Sequence, residues 1–147
     1  MRLSQTAEYA LRAVLDIADR GGDAAVPVAT IAEDLSVPRN YLSKILHQLA
    51  KAGVLVSSRG PGGGFRLRDD PSRITLAEVV DPVDPIAEDS RCLLGKGVCS
   101  SDSPCAVHER WCSISEQVRT FFFETSLADM VNQHRGLSRG SNTPERK

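Results

Sequence analysis

Ser36-Val37-Pro38-Arg39-Asn40-Tyr41-Leu42-Ser43-Lys44-Ile45-Leu46 is the stretch that decides the fold. Proline disfavours helix in the residue before it, so Pro38 ends whatever helix precedes. Upstream, Ala29, Ile31, Ala32 and Leu35 form a short helix. Downstream, Tyr41, Leu42, Ile45, Leu46 and Leu49 line one face of a second helix. Ala52-Gly53 closes it, since glycine just past the last periodic residue caps a helix. Two short helices across a tight turn, the second of them basic, predict a helix-turn-helix whose second helix enters a DNA major groove.

The flanks fit this reading. Leu3, Ala7, Ala10, Leu11, Val14, Ile17 and Ala18 recur at helical spacing, with Ser4 as N-cap and Gly21-Gly22 as stop. This predicts a first helix over about Gln5 to Arg20. After the helix-turn-helix, Val54-Leu55-Val56-Ser57-Ser58 reads as a strand, and Phe65-Arg66-Leu67-Arg68 alternates like a half-exposed one. The glycine-rich turn between them, Arg59-Gly60-Pro61-Gly62-Gly63-Gly64, makes the pair a hairpin. It is no phosphate-binding loop, which needs Gly-Lys-Ser/Thr leading into a helix. Thr75 caps a short helix through Val80, and Asp81-Pro82-Val83-Asp84-Pro85 ends it.

The predicted fold is mainly α with a small β-hairpin: a winged helix-turn-helix plus a long C-terminal dimerisation helix. Residues 1–80 form the DNA-binding unit and 81–104 a linker with a cysteine-rich loop. Residues 105–133 hold the dimerisation helix and a short terminal helix, and 134–147 a disordered polar tail.

A length of 147 residues with 41% hydrophobic content allows a real but modest core. No run approaches the ~20 apolar residues that span a bilayer. The N-terminus lacks the pattern of a secretory signal, so a cytoplasmic location with reduced thiols is expected, with no membrane partner. The net charge of −1 hides an asymmetry: from Ser36 to Arg68 there is no Asp or Glu, against Arg39, Lys44, Lys51, Arg59, Arg66 and Arg68. That is the footprint of a nucleic-acid binder. Arg39, Asn40, Tyr41, Ser43 and Lys44 would face bases and phosphates. Arginine grips guanine and asparagine grips adenine at two points each. Lys44 and Lys51 would meet phosphates. Arg59 and Arg66 flank the wing, whose tip holds Gly62, and Arg59 would enter the minor groove. No catalytic triad or paired carboxylates suggest an enzyme or a small-molecule substrate.

All four cysteines fall in one window, at Cys92, Cys99, Cys105 and Cys112. Clustering in a reducing compartment points to a metal or redox centre. The spacing Cys-x6-Cys-x5-Cys-x2-His, ending at His108, lacks the short paired knuckles of a zinc ribbon. Ser103 and Pro104 read as N-cap and first residue of a long helix, putting Cys105 in its first turn with His108 one turn on. Val107, Trp111, Ile114, Val118 and Phe121 step by four and three, a seam for pairing with a second copy. Thr125-Ser126 restarts a helix carrying Leu127, Met130 and Val131.

Several of these features together resemble one family. Arg2-Leu3-Ser4, Tyr9-Ala10-Leu11-Arg12, Ala52-Gly53-Val54, the run from Arg59 to Leu67, Ile74-Thr75-Leu76 with Val79, the cysteine triplet and Thr125-Ser126-Leu127-Ala128-Asp129 are similar, in order, to the Rrf2-type winged-helix regulators. The resemblance implies a bacterial homodimer that binds a palindromic operator in double-stranded DNA, as a repressor, and senses redox state, nitric oxide or iron status through an iron–sulfur cluster. It implies Cys92, Cys99 and Cys105 as sulfur ligands. For the fourth ligand it offers His108, as in [2Fe-2S] members, or Glu8 of a second protomer, where [4Fe-4S] members carry an acidic ligand. Cys112, seven residues and two turns beyond Cys105, is a further candidate for the fourth ligand position beside His108 and Glu8, but it reads first as a small apolar residue buried beside Trp111. Some members have an acid where Ser43 stands, and Arg39-Asn40 is nearer the nitric-oxide-sensitive group. Two competing readings stand beside this one. One is a DNA-binding regulator with a zinc or thiol–disulfide switch and no cluster. The other is an iron–sulfur electron-transfer protein, against which the acid-free basic stretch speaks.

Overall fold

The computed structural model describes residues 3–86, 92–95 and 97–140, with the side chains of all but 138–140. Among them are helices α1 (Gln5–Arg20), α2 (Val28–Leu35) and α3 (Arg39–Lys51), strands β1 (Leu55–Ser58) and β2 (Gly64–Leu67), and helices α4 (Leu76–Val80), α5 (His108–Glu124) and α6 (Leu127–Gly140). The described residues are mainly helical with one two-stranded antiparallel hairpin, as expected.

Ser4 starts α1 by accepting the Ala7 N–H at 3.2 Å, and Gly21 ends it at φ 67°. The buried face of α1 is largely alanine, at Ala7, Ala10, Ala13 and Ala18. Such short side chains let neighbouring helices approach closely, and α1 packs against α3, α4 and α6. The turn between α2 and α3 is where Pro38 required it. Ser36 takes the left-handed conformation (φ 54°, ψ 45°) as C-cap of α2. Val37 is buried and donates its N–H to the Ala32 carbonyl at 2.9 Å. Leu42, Ile45, Leu46 and Leu49 then bury one side of α3.

In the hairpin Leu55 pairs with Leu67 and Ser58 with Gly64. A further strap was not foreseen: Val26, just before α2, exchanges both backbone hydrogen bonds with Phe65, at 2.8 and 2.9 Å. The wing is thereby fixed to the helix-turn-helix, with Phe65 only 3% exposed.

Thr75 and Glu78 form a capping box at α4, and Ser126 and Asp129 make the matching reciprocal bonds at α6. The two helix starts lie side by side: Leu76 N–H donates to the Thr125 carbonyl at 3.0 Å, and Leu127 N–H to the Ile74 carbonyl at 2.9 Å. The chain leaving α5 is thus returned to the winged unit, and Leu127 is fully buried.

Two boundaries differ from expectation. Helix α5 begins at His108 rather than Pro104. The Ser100 hydroxyl accepts the Asp102 N–H at 3.1 Å and the Ser100 carbonyl the Ser103 N–H at 3.4 Å, so Ser103 is spent in a turn. Cys105 lies in the next turn, its carbonyl accepting the His108 N–H at 3.0 Å. Helix α6 runs on to Gly140 where an irregular tail from 134 was expected. Arg135 secures it, with Nε 2.9 Å from Asp19 Oδ1 and Nη2 donating to the Asp19 carbonyl at 2.7 Å. Residues 141–147 of that expected tail lie outside the described residues.

Candidate functional site

Helix α3 presents two unlike faces. Opposite its buried leucines stand Arg39, Asn40, Tyr41, Lys44, His47, Gln48 and Lys51, all exposed, with Ser43 half-buried. No carboxylate lies on α3 or on the hairpin. Helix α3 also begins without a side-chain cap, with Arg39 in its first turn. The positive end of a helix beside a cation favours phosphate.

Tyr41 has a structural duty: its hydroxyl shares a 2.6 Å hydrogen bond with Thr6, and its ring meets Tyr9 edge-on at 5.8 Å. It braces α3 against α1. His47 and Gln48 escaped the sequence reading, although they fill the step between Lys44 and Lys51 on the solvent face. His47 meets Phe65 edge-on at 5.1 Å and so ties α3 to the wing. On the wing, Arg59 and Gly62 are exposed. Arg66 is half-buried and folds back, its Nη1 donating to the Leu67 carbonyl at 3.3 Å.

The second functional group gathers at the foot of α5. Cys92 is held in a tight loop: its N–H donates to the Gly97 carbonyl at 2.8 Å, and its carbonyl accepts the Gly95 N–H at 3.0 Å. The sulfur of Cys92 lies 3.7 Å from that of Cys105. The sulfur of Cys99 lies 3.2 Å from His108 Nδ1 and 3.6 Å from the sulfur of Cys112. The donors thus sort into a Cys92–Cys105 pair and a Cys99–His108–Cys112 group. Cys105 and His108 do not share one helical face, because Cys105 precedes α5.

Cys112 corrects the sequence reading. It is exposed, not buried beside Trp111, and joins the donors. Glu8 stands exposed on α1, apart from this group. The Cys99 thiol is pushed up to about 11, first by its hydrogen bond with Cys112, then by desolvation and by the other sulfurs. A metal that binds there must displace its proton.

Beyond the thiols, α5 has Phe122 as its single buried residue. Of the expected seam, Val107, Trp111 and Val118 are half-buried, while Ile114 and Phe121 are 53% and 51% exposed. Leu3, Trp111, Ile114, Ser115, Val118 and Phe122 line a groove of about 200 Å³ along this face. No helix among the described residues is long and apolar enough to cross a membrane.

Residues 3–133 match the family model described as Rrf2, iron-dependent transcriptional regulator. The chain is 37% identical over 132 residues to the HTH-type transcriptional regulator IscR of Yersinia pseudotuberculosis, covering 90% of this chain and 80% of that protein. The fold is similar to that of CymR (YrzC), the global cysteine regulator of B. subtilis, with a TM-score of 0.78 at 23% identity over 90% of this chain and 98% of the other. It is also similar to T. potens IscR, with a TM-score of 0.73 at 20% identity over 99% and 94% of the two chains.

Proposed function

The chain belongs to the Rrf2 family of transcriptional regulators, and on that premise we propose that it is a homodimeric, iron–sulfur-sensing repressor of a palindromic operator. It is a DNA-binding regulator and not an enzyme. The finer reading is supported above all by the donors at the foot of α5, where the Cys92 and Cys105 sulfurs lie 3.7 Å apart and the Cys99 sulfur lies 3.2 Å from His108 Nδ1.

In this reading α3 lies in the major groove. Arg39 and Asn40 read bases, Lys44 and Lys51 fix the backbone, and Tyr41 holds the helix at its angle. Ser43, half-buried, offers a short hydroxyl beside the bases. The wing brings Arg59 to the minor groove, with Gly62 at its tip and Arg66 supporting its flank. Two copies join through Val107, Trp111, Ile114, Val118 and Phe121. Dimerisation covers the exposed Ile114 and Phe121, and a twofold dimer reads a twofold site.

The donor set fits a cluster. Thiolates are the ordinary ligands of iron–sulfur centres, and imidazole replaces some of them in known ligand sets. Cys92, Cys99 and Cys105 would supply sulfur and His108 the fourth ligand, with Glu8 of a second protomer as the alternative. A bound cluster, [2Fe-2S] or [4Fe-4S], supplies a centre that oxidants, nitric oxide or iron shortage alter. Within the chain, Cys92 and Cys99 hold the loop, Cys105 the turn before α5, and His108 the first turn of α5. Together they fix the start of the dimer helix relative to the winged unit. Releasing them shifts the population between two dimer geometries, and so the spacing of the two α3 helices.

Selection from genomic fragments by the anaerobically purified protein, followed by footprinting, tests the DNA reading. It should recover an inverted repeat. Arg59→Ala should weaken binding to that repeat by about 3- to 10-fold and lower the slope of log affinity against log salt by roughly one. An unchanged affinity and slope would remove the wing from the interface.

A further inference from the structure

The foot of α5 holds one donor more than the proposed cluster uses, and the surplus is Cys112. Its sulfur stands 3.6 Å from that of Cys99, and 3.9 and 3.7 Å from His108 Nδ1 and Nε2. Cys99 stands 3.2 Å from His108 Nδ1. Ligand atoms of all three residues lie within 4.8 Å of one another.

These separations have a chemical scale. Zinc binds thiolate at about 2.3 Å and imidazole at about 2.0–2.1 Å, in a tetrahedron. Its edges are then about 3.8 Å between two sulfurs and about 3.5–3.6 Å between sulfur and nitrogen. The observed triangle of 3.6, 3.2 and 3.9 Å approximates one face of that tetrahedron, each edge within about 0.4 Å of the ideal. His108 and Cys112 are four residues apart on α5, so the helix holds them on one side. Cys99 comes to them from the loop. The sulfurs of Cys92 and Cys105 lie 3.7 Å from each other and are not among these three donors.

We propose that Cys99, His108 and Cys112 form a mononuclear site for a thiophilic divalent cation of the zinc class, filled when the cluster is absent. Water takes the fourth position. Binding releases the thiol protons of Cys99 and Cys112 to solvent and needs no oxidant. Cys99 and His108 serve both centres, so cluster and ion exclude each other. That exclusion rests on the cluster reading; the ion site itself rests on the three donors.

The test is a titration of the full-length chain, stripped of iron and kept reduced under anaerobic conditions, with cobalt(II). One equivalent should bind with the intense visible bands of tetrahedral cobalt and with thiolate-to-metal charge transfer, and zinc should displace it. Cys112→Ser should halve the charge transfer, to about one thiolate, and weaken cobalt binding on the order of 100-fold. Cys92→Ser should keep the charge transfer of two thiolates, because its sulfur is not among the three donors. A pale octahedral spectrum, or a titration that ignores Cys112→Ser, overturns the site. In parallel, Cys112→Ser is reconstituted with iron and sulfide. Wild-type cluster content supports two distinct donor sets, while loss of the cluster makes Cys112 a cluster ligand and overturns the proposal. If the unaltered chain binds cobalt as described but forms no cluster, the ion site stands and the cluster reading falls.

Discussion

Gly64→Val is expected to cost about 3–5 kcal/mol of stability, a large share of the total for a domain of this size. A Cβ at Gly64 would lie 2.1 Å from the Val26 carbonyl oxygen and 2.3 Å from its carbon, both rigid backbone. The backbone there has φ 151°, which side-chain-bearing residues rarely adopt. To make room, β2 must leave Val26. Two hydrogen bonds then go, each worth about 1 kcal/mol, together with part of the burial of Phe65. Backbone strain adds about 1–3 kcal/mol. Denaturant unfolding of the full chain measures the total. Gly60→Ala is the matched comparison: Gly60 has φ 84° but nothing within 4 Å of its Cβ position, so strain alone remains, about 1 kcal/mol. Equal midpoints for the two variants would show that the Val26 strap does not hold the wing.

Cys105→Ala is expected to abolish the cluster while leaving the fold intact. Cys105 is half-buried in a turn outside the helices, and its place in the structure depends on a backbone carbonyl that alanine retains. The variant should unfold at the same denaturant midpoint as the parent, yet carry neither iron nor sulfide and no visible absorbance after anaerobic preparation. Its operator affinity should equal that of the stripped parent chain. His108→Ala should also lose or alter the absorbance, and Glu8→Ala should not. The reverse pattern would assign the fourth ligand to Glu8 and couple the cluster to α1. Wild-type iron content in Cys105→Ala would remove Cys105 from the ligand set.

The parts of the fold that local chemistry controls were legible in the sequence. Pro38 dictated the turn, the spacing of Leu42, Ile45, Leu46 and Leu49 dictated the buried face of α3, and Thr75 marked a cap. What escaped depends on residues far apart or on competing local bonds. The Val26–Phe65 strap joins a segment before α2 to the wing, and no periodicity announces it. The end of α6 is held by Arg135 on Asp19, 116 positions away. At α5, Ser103-Pro104 offered a sound helix start, but the turn at Ser100 took Ser103 first. That shift moved Cys105 off the helix. Cys112, too, was misread: its sequence neighbour Trp111 suggested burial, whereas its spatial neighbours are Cys99 and His108. The clustering of the thiols was plain in the sequence, but their sorting into pairs was not.

The central claim is that this DNA reader carries an iron–sulfur centre, and one measurement addresses it directly. Iron, acid-labile sulfide and zinc are counted per protomer in the full-length chain purified anaerobically, with its visible spectrum recorded on the same sample. The account predicts a brown protein with iron and sulfide in equal, stoichiometric amounts. A colourless protein that carries zinc and no iron would contradict it.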